Sequence, residues 1–330
     1  LQIIKSRRNK KLIFIFKVFG LELWVKINKY CLNYKTIFGT LKLKKIQLYL
    51  TLLISLFVFN LHAQSKKQRC GTTIEPQIMG MQKSRQQSAD GECTTINKID
   101  KTFQISLWIA VNAQGATNIS DTDIDGALTR LNNDFAPSGM KFQYCKIENM
   151  ENDRWDSLTV FPTYNEELQM RALHYEPNTI NIYLVDTIGK PEITPGGYAY
   201  FPGGPDVIVC IKSSYNEDSP VLSHEMGHFF GLYHTFETEF GQERVDGSNC
   251  ETTGDFVCDT RADPDPDGNA DEDDQCNYTG TLQQDANGDW YLPPTDNIMS
   301  YYPSECVCRF TPQQYNRMID QYLNFRNYLW

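Results

Sequence analysis

Residues 224–234 read HEMGHFFGLYH, and three of the chain's five histidines fall inside these eleven positions. Just upstream, Ser219 suits a helix N-cap and Pro220 a first helical position, where its missing N–H costs nothing. Val221, Leu222, Met226, Phe229 and Phe230 then recur at helical spacing, which predicts a buried helix. His224 and His228 lie four apart, so they stack one turn apart on one face and can share a metal ion. Gly231 ends the helix, because glycine takes positive φ at little cost, and the turn brings His234 to the same ion. Three nitrogen ligands with one position left open are the pattern of a catalytic zinc. Such an ion lowers the pKa of its water from ~15.7 towards ~7. Glu225 directly follows the first ligand and points off the ligand face, where it can accept the water's proton and pass it to a leaving amine. The set suits hydrolysis of an amide. Two core histidines and a solvated glutamate are the plain structural alternative, against which the extension to H-E-x-x-H-x-x-G-x-x-H argues.

A second stretch agrees. NIMSYY (297–302) places Met299 65 residues beyond His234, with Tyr301 two positions further. It resembles the Met-turn of the metzincin metalloproteases, in which the methionine floors the metal and the tyrosine leans towards it. Within that clan, GDFVCDT (254–260) and NIMSYYPSECVCRFTPQQ (297–314) resemble the pappalysin family. The likeness spans roughly residues 100–330 and is densest from 219 onward. It implies a zinc endopeptidase with a calcium-stabilised segment between helix and Met-turn, Asp255, Thr260 and the carbonyl of Cys258 being the calcium ligands. Arg261 departs from the family, which carries proline after that threonine. The resemblance also places Glu305 in the wall of the pocket for the residue after the scissile bond. A carboxylate in a partly dry pocket would select Arg or Lys there; a solvated glutamate is the alternative.

The bulk composition bounds the context. KLKKIQLYLTLLISLFVFNLHAQ (42–64) has a basic start, an apolar core and Ala63 before a polar stretch, the pattern of a signal peptide over 42–63. A membrane anchor is the alternative, for which the apolar run is short. Residues 1–41 contain no methionine and are read as outside the genuine coding sequence or unstructured. Residues 1–63 carry 12 Lys and Arg and one acid, so the remainder holds 19 basic and 40 acidic residues. A product that acidic does not bind nucleic acid or an anionic bilayer by charge. Fourteen of the acids lie between Glu237 and Asp274. They are either a solvated face or a calcium-binding run.

Nine cysteines follow the signal peptide, an odd number for an oxidising compartment. QRCGT (68–72) resembles the cysteine switch of metzincin zymogens, so Cys70 is expected to fill the zinc's open position in a latent form. A Cys70–Cys93 disulfide is the alternative. Cys250, Cys258, Cys276, Cys306 and Cys308 are expected to be structural, with pairing left open. The prosegment is assigned to 64–100, its boundary falling between Arg85 and Lys101, and the protease domain to 101–330.

Strands are expected at 103–112, 141–149, 179–186, 198–204 and 206–212, and helices at 121–136, 164–173 and 311–329, the last capped by Thr311 ahead of Pro312. This alternation predicts a mixed α/β (α+β) domain. The resemblance makes it a metzincin-type catalytic domain with a twisted mixed sheet, a backing helix and an active-site helix. The short aromatic segment 198–204 suits an edge strand on which a peptide substrate could dock. Together these readings give a secreted zinc endopeptidase, stabilised by calcium, made as a latent monomer and acting on proteins or peptides. A non-catalytic zinc-stabilised peptide-binding module and an aminopeptidase are the alternatives.

Overall fold

In KTFQISLWIA (101–110), Phe103, Ile105, Leu107 and Ile109 face one core while Trp108 and Ala110 face another. Period-two alternation of this kind makes a strand buried on both faces. The computed structural model describes residues 95–158, 165–189, 195–264, 275–279 and 283–330, and the backbone of 2–8, 11–18 and 21–27. The chain divides into two units, Leu1–Gln64 and Ser65–Trp330. In the first, β1 (Gln2–Arg8), β2 (Lys11–Val18) and β3 (Leu21–Ile27) pair antiparallel in a three-stranded sheet, where the sequence suggested no domain. The signal peptide, Cys70, Cys93 and residues 265–274 of the acidic run lie outside the described residues.

The second unit is a mixed α/β domain. Its elements are β4 (Lys101–Ala110), α1 (Asp121–Phe135), β5 (Met140–Met150), β6 (Ser157–Leu158), α2 (Asn165–Leu173), β7 (Ile180–Val185), β8 (Thr187–Ile188), β9 (Gly197–Ala199), β10 (Val207–Ile211), α3 (Val221–Phe229) and α4 (Pro312–Gln321). The main sheet has the order β5-β4-β7-β10-β9, all neighbours parallel except the β10–β9 pair. Helices α1, α3 and α4 cover one face, where Leu131, Phe229 and Met318 join the core. Met170 of α2 and Trp155 cover the other. Burying one such side chain contributes about 1.5–3 kcal/mol, so the two cores hold the sheet rigid behind whatever its edge presents.

The predicted elements are present, with instructive differences at their ends. The segment 198–204 is a strand only at its start, within Gly197–Ala199, with one further bond from Tyr200 N to Val207 O at 3.2 Å. Beyond it Pro202 has no N–H to donate and Gly203 turns at φ +95. Helix α4 has the expected capping box, Thr311 and Gln314 satisfying each other's backbone N–H groups. It stops at Gln321, and a π-turn over Tyr322–Arg326 follows, which draws Arg326 into the protein rather than along the helix. From Thr235 to Thr311 the described chain has no helix or named strand; disulfides Cys250–Cys258 and Cys276–Cys306 staple it. Cys308 corrects the expectation for the late cysteines. It is exposed and unpaired among the described residues, as is Cys145, while Cys210 is buried and unpaired.

Candidate metal centre

Helix α3 begins one residue later than its sequence suggests. Pro220 occupies the N-cap, its carbonyl accepting from His224 N at 2.9 Å. The Ser219 hydroxyl accepts only a long 3.4 Å contact from Val221 N. The other end forms the expected glycine turn: Leu232 N bonds to Gly227 O at 2.9 Å and Gly231 N to His228 O at 2.8 Å, with Gly231 at φ +87. Two buried arginines from the C-terminal part of the chain complete this end. Arg317 Nε donates to Gly231 O at 2.8 Å and Arg326 Nε to Phe229 O at 3.1 Å. Cations at a helix C-terminus satisfy its last carbonyls and oppose its dipole.

That turn brings the three imidazoles together. His228 Nε2 lies 3.1 Å from His224 Nε2 and 3.0 Å from His234 Nε2. They form the one His, Cys, Asp or Glu group of metal-binding size among the described residues, all ligand atoms within 4.8 Å of one another. With the proton on Nδ1, His224 donates to Ile298 O at 2.6 Å and His228 to Leu232 O at 2.7 Å. Each Nε2 lone pair then faces the common centre, the arrangement by which an outer hydrogen bond fixes a ligand's tautomer. Burial holds His224 down at about 4. It holds His228 and His234 well below the usual imidazole value, and the neighbouring imidazoles add to the effect. Neutral imidazoles are the form that ligates a metal.

The Met-turn residues lie against this centre. Met299 is fully buried under the helix, and a Cβ on Gly227 would come within 2.5 Å of its sulfur. Glycine inside H-E-x-G-H therefore admits the methionine. Met299 O accepts from Thr235 N at 3.2 Å, tying the floor to the residue after His234. The Tyr301 ring is 4.9 Å from that of His234 and 5.9 Å from that of His224, and Phe236 stacks on His234 at 4.7 Å. Glu225 is 1% exposed and faces β9: a Cβ on Gly197 would meet its Cγ at 2.9 Å. Glu305 is exposed in the turn after Met299, so the partly dry setting expected for it is not found.

A second acidic cluster lies beyond the helix. Asp255 is buried; the Thr260 hydroxyl, with one proton to donate, lies 2.6 Å from Val257 O and 3.1 and 3.0 Å from the two Asp255 carboxylate oxygens. Cys258 lies in the same turn, its N–H donating to Gln313 Oε1 at 2.9 Å. Glu243, missed in the sequence because it sits within a run of acids, is buried close by. Its Oε2 has no hydrogen-bond partner among the described residues. Burial, with Asp255 adding repulsion, pushes Glu243 up to about 9, and burial pushes Asp255 up to about 7.

Residues 164–323 match the family model described as pregnancy-associated plasma protein-A. The chain is 27% identical over 244 residues to an extracellular metalloprotease of Colletotrichum graminicola, covering 68% of this chain and 77% of the relative. It is 29% identical over 228 residues to an extracellular metalloprotease of Pyricularia oryzae, covering 63% and 69%. It is 23% identical over 281 residues to extracellular metalloprotease 1 of Coccidioides posadasii, covering 79% and 91%. Among solved structures, mirolysin in complex with compound 9 aligns with a TM-score of 0.47 at 18% identity, over 72% of this chain and 96% of that one.

Proposed function

Because this chain belongs to the pappalysin family of metalloproteases, we propose that it is a secreted, zinc-dependent endopeptidase made as a latent precursor. The observation that carries the reading is the convergence of three imidazole Nε2 atoms beside a buried glutamate that shares a helix with two of them. The donor set fits zinc: nitrogen ligands only, three of them, His224 and His228 each oriented by a backbone carbonyl. When bound, zinc supplies Lewis acidity to a water and to the scissile carbonyl. Glu225 accepts a proton from the attacking water and delivers it to the departing amide nitrogen. Tyr301, flanking His224 and His234, serves the developing oxyanion. The substrate backbone adds as a strand along the outer edge of β9.

The test is incubation with a denatured protein, with and without a zinc chelator, followed by mapping of the cuts. Internal cuts that vanish on chelation are expected. Stepwise loss of single residues from the substrate N-terminus would replace the endopeptidase with an aminopeptidase. The same map reads Glu305: a bias for Arg or Lys after the bond, lost in Glu305→Gln, supports a specificity role, and an apolar preference ends it. For latency, Cys70→Ala precursor is expected to shorten the lag before activity; an unchanged lag favours the Cys70–Cys93 disulfide. Export is supported by relatives named extracellular metalloproteases. No helix among the described residues is long and apolar enough to cross a membrane.

We further propose that Asp255, Thr260 and the Cys258 carbonyl, with Glu243, hold a structural calcium. The lone Glu243 oxygen and the raised carboxylates fit a hard cation that takes several oxygen ligands. A ligand at 100 times its dissociation constant adds about 2.7 kcal/mol of stability. For a domain of this size that is about 5–10 °C in Tm. Removing calcium with EGTA is expected to lower Tm by that amount, and Glu243→Gln to abolish the response. A melting curve indifferent to EGTA would remove calcium from the description.

A further inference from the structure

The edge strand β9 is the most weakly laddered strand of its sheet, with only Gly197, Tyr198 and Ala199 in register against β10. Its two faces have different duties. Gly197 and Ala199 face the metal helix, Gly197 so closely that a Cβ there would strike Glu225. Tyr198 and Tyr200 point the other way, into the opposite core.

Both tyrosines end on one carboxylate. Glu167 of α2, 3% exposed, accepts the Tyr198 hydroxyl at 2.7 Å and the Tyr200 hydroxyl at 2.8 and 2.9 Å. Arg171, one turn on, holds the same carboxylate at 3.0 Å. Hydrogen bonds to an ionised acceptor are roughly twice as strong as neutral ones. Glu167 therefore fixes the height of β9 above the sheet.

The exit of the strand is held separately. Arg326, fully buried, donates through Nη2 to Tyr200 O at 2.9 Å and to Phe201 O at 3.1 Å. Through Nη1 it pairs with Asp206, which also accepts the Tyr328 hydroxyl at 2.8 Å. Its Nε holds Phe229 O at the end of α3, and the Phe201 ring abuts that of His228 at 5.5 Å. One guanidinium thus joins the strand's exit to the metal helix.

We infer that Glu167 and Arg326 are positioning residues, one under β9 and one at its exit, that hold this strand in place for substrate to pair with it. The inference rests on the docking reading given above. Glu167 contacts neither the three imidazoles nor Glu225 and acts on the strand alone, so its removal is expected to show in the binding of substrate along β9.

The experiment compares a long peptide, spanning several residues on both sides of the cut, with a short one, in native enzyme, Glu167→Gln and Glu167→Ala. In Glu167→Ala, KM for the long peptide is expected to rise about tenfold, equivalent to about 1.4 kcal/mol of binding, with kcat within about twofold. The short peptide and the zinc content should be unchanged, and Glu167→Gln should recover part of the loss. Should Glu167→Ala fail to fold, the double variant Tyr198→Phe, Tyr200→Phe keeps the packing, removes only the hydroxyls and is read the same way. Native enzyme that favours the long peptide, with variants that keep the whole preference, overturns the clamp alone. Losses equal on both peptides, with Gln no better than Ala, also overturn it. Native enzyme that gains nothing from the longer peptide overturns the docking reading, and the clamp with it.

Discussion

Glu225→Ala is expected to keep its zinc and to lose at least ~10²-fold in turnover, the usual scale for a general base. The glutamate lies between His224 and its neighbours on the helix yet off the ligand face, so truncating it removes no metal donor. It is 1% exposed against the backbone of β9. A carboxylate is costly to hold there, and replacing it with alanine should not destabilise the helix, because alanine favours helix and leaves no buried charge. Loss of activity would then have to come from the chemistry. Steady-state kinetics beside metal analysis of the same preparation decides it: near-normal kcat in the variant would sink the general-base role.

What the sequence made legible is local, and what it hid is long-range. The spacing of His224 and His228, the turn at Gly231 and the return of His234 depend on residues a few positions apart. The capping box at Thr311 and the alternation in 101–110 are equally local, and each is present. Met299 under the helix was readable only because the motif before it gave the methionine a meaning. Nothing local marks Glu167, whose tyrosine partners lie 31 and 33 residues away, or Arg326, which reaches back 125 and 126 residues to Phe201 and Tyr200. In one dimension both resemble charges on a helix surface. Glu243 was hidden differently: among fourteen acids, one whose buried Oε2 has no hydrogen-bond partner among the described residues looks like the rest. The start of α3 shows the same limit at small scale. Ser219 and Pro220 both suit a helix start, and only the backbone geometry places the cap on the proline.

His234→Ala is the counterpart experiment, because it should fail in the opposite order. This histidine does not share the helix with the other two; it arrives through the Gly231 turn and is held by Phe236 stacked on its ring and by the tie from Thr235 to Met299. Alanine there leaves α3, its arginine caps and Glu225 in place, so the fold should survive. Two imidazoles one turn apart remain, a set one nitrogen short of a catalytic zinc site. Disturbing even an outer partner of a ligand costs 10–100-fold in metal affinity, so removing the ligand itself is expected to cost at least ~10²-fold. Competition against a chromophoric chelator measures this directly, and residual activity should track residual zinc. A variant that retains a full zinc complement through that competition would take His234 out of the ligand set. The two variants together separate roles that activity alone would confuse: Glu225→Ala loses turnover with the metal kept, and His234→Ala loses turnover because the metal has gone.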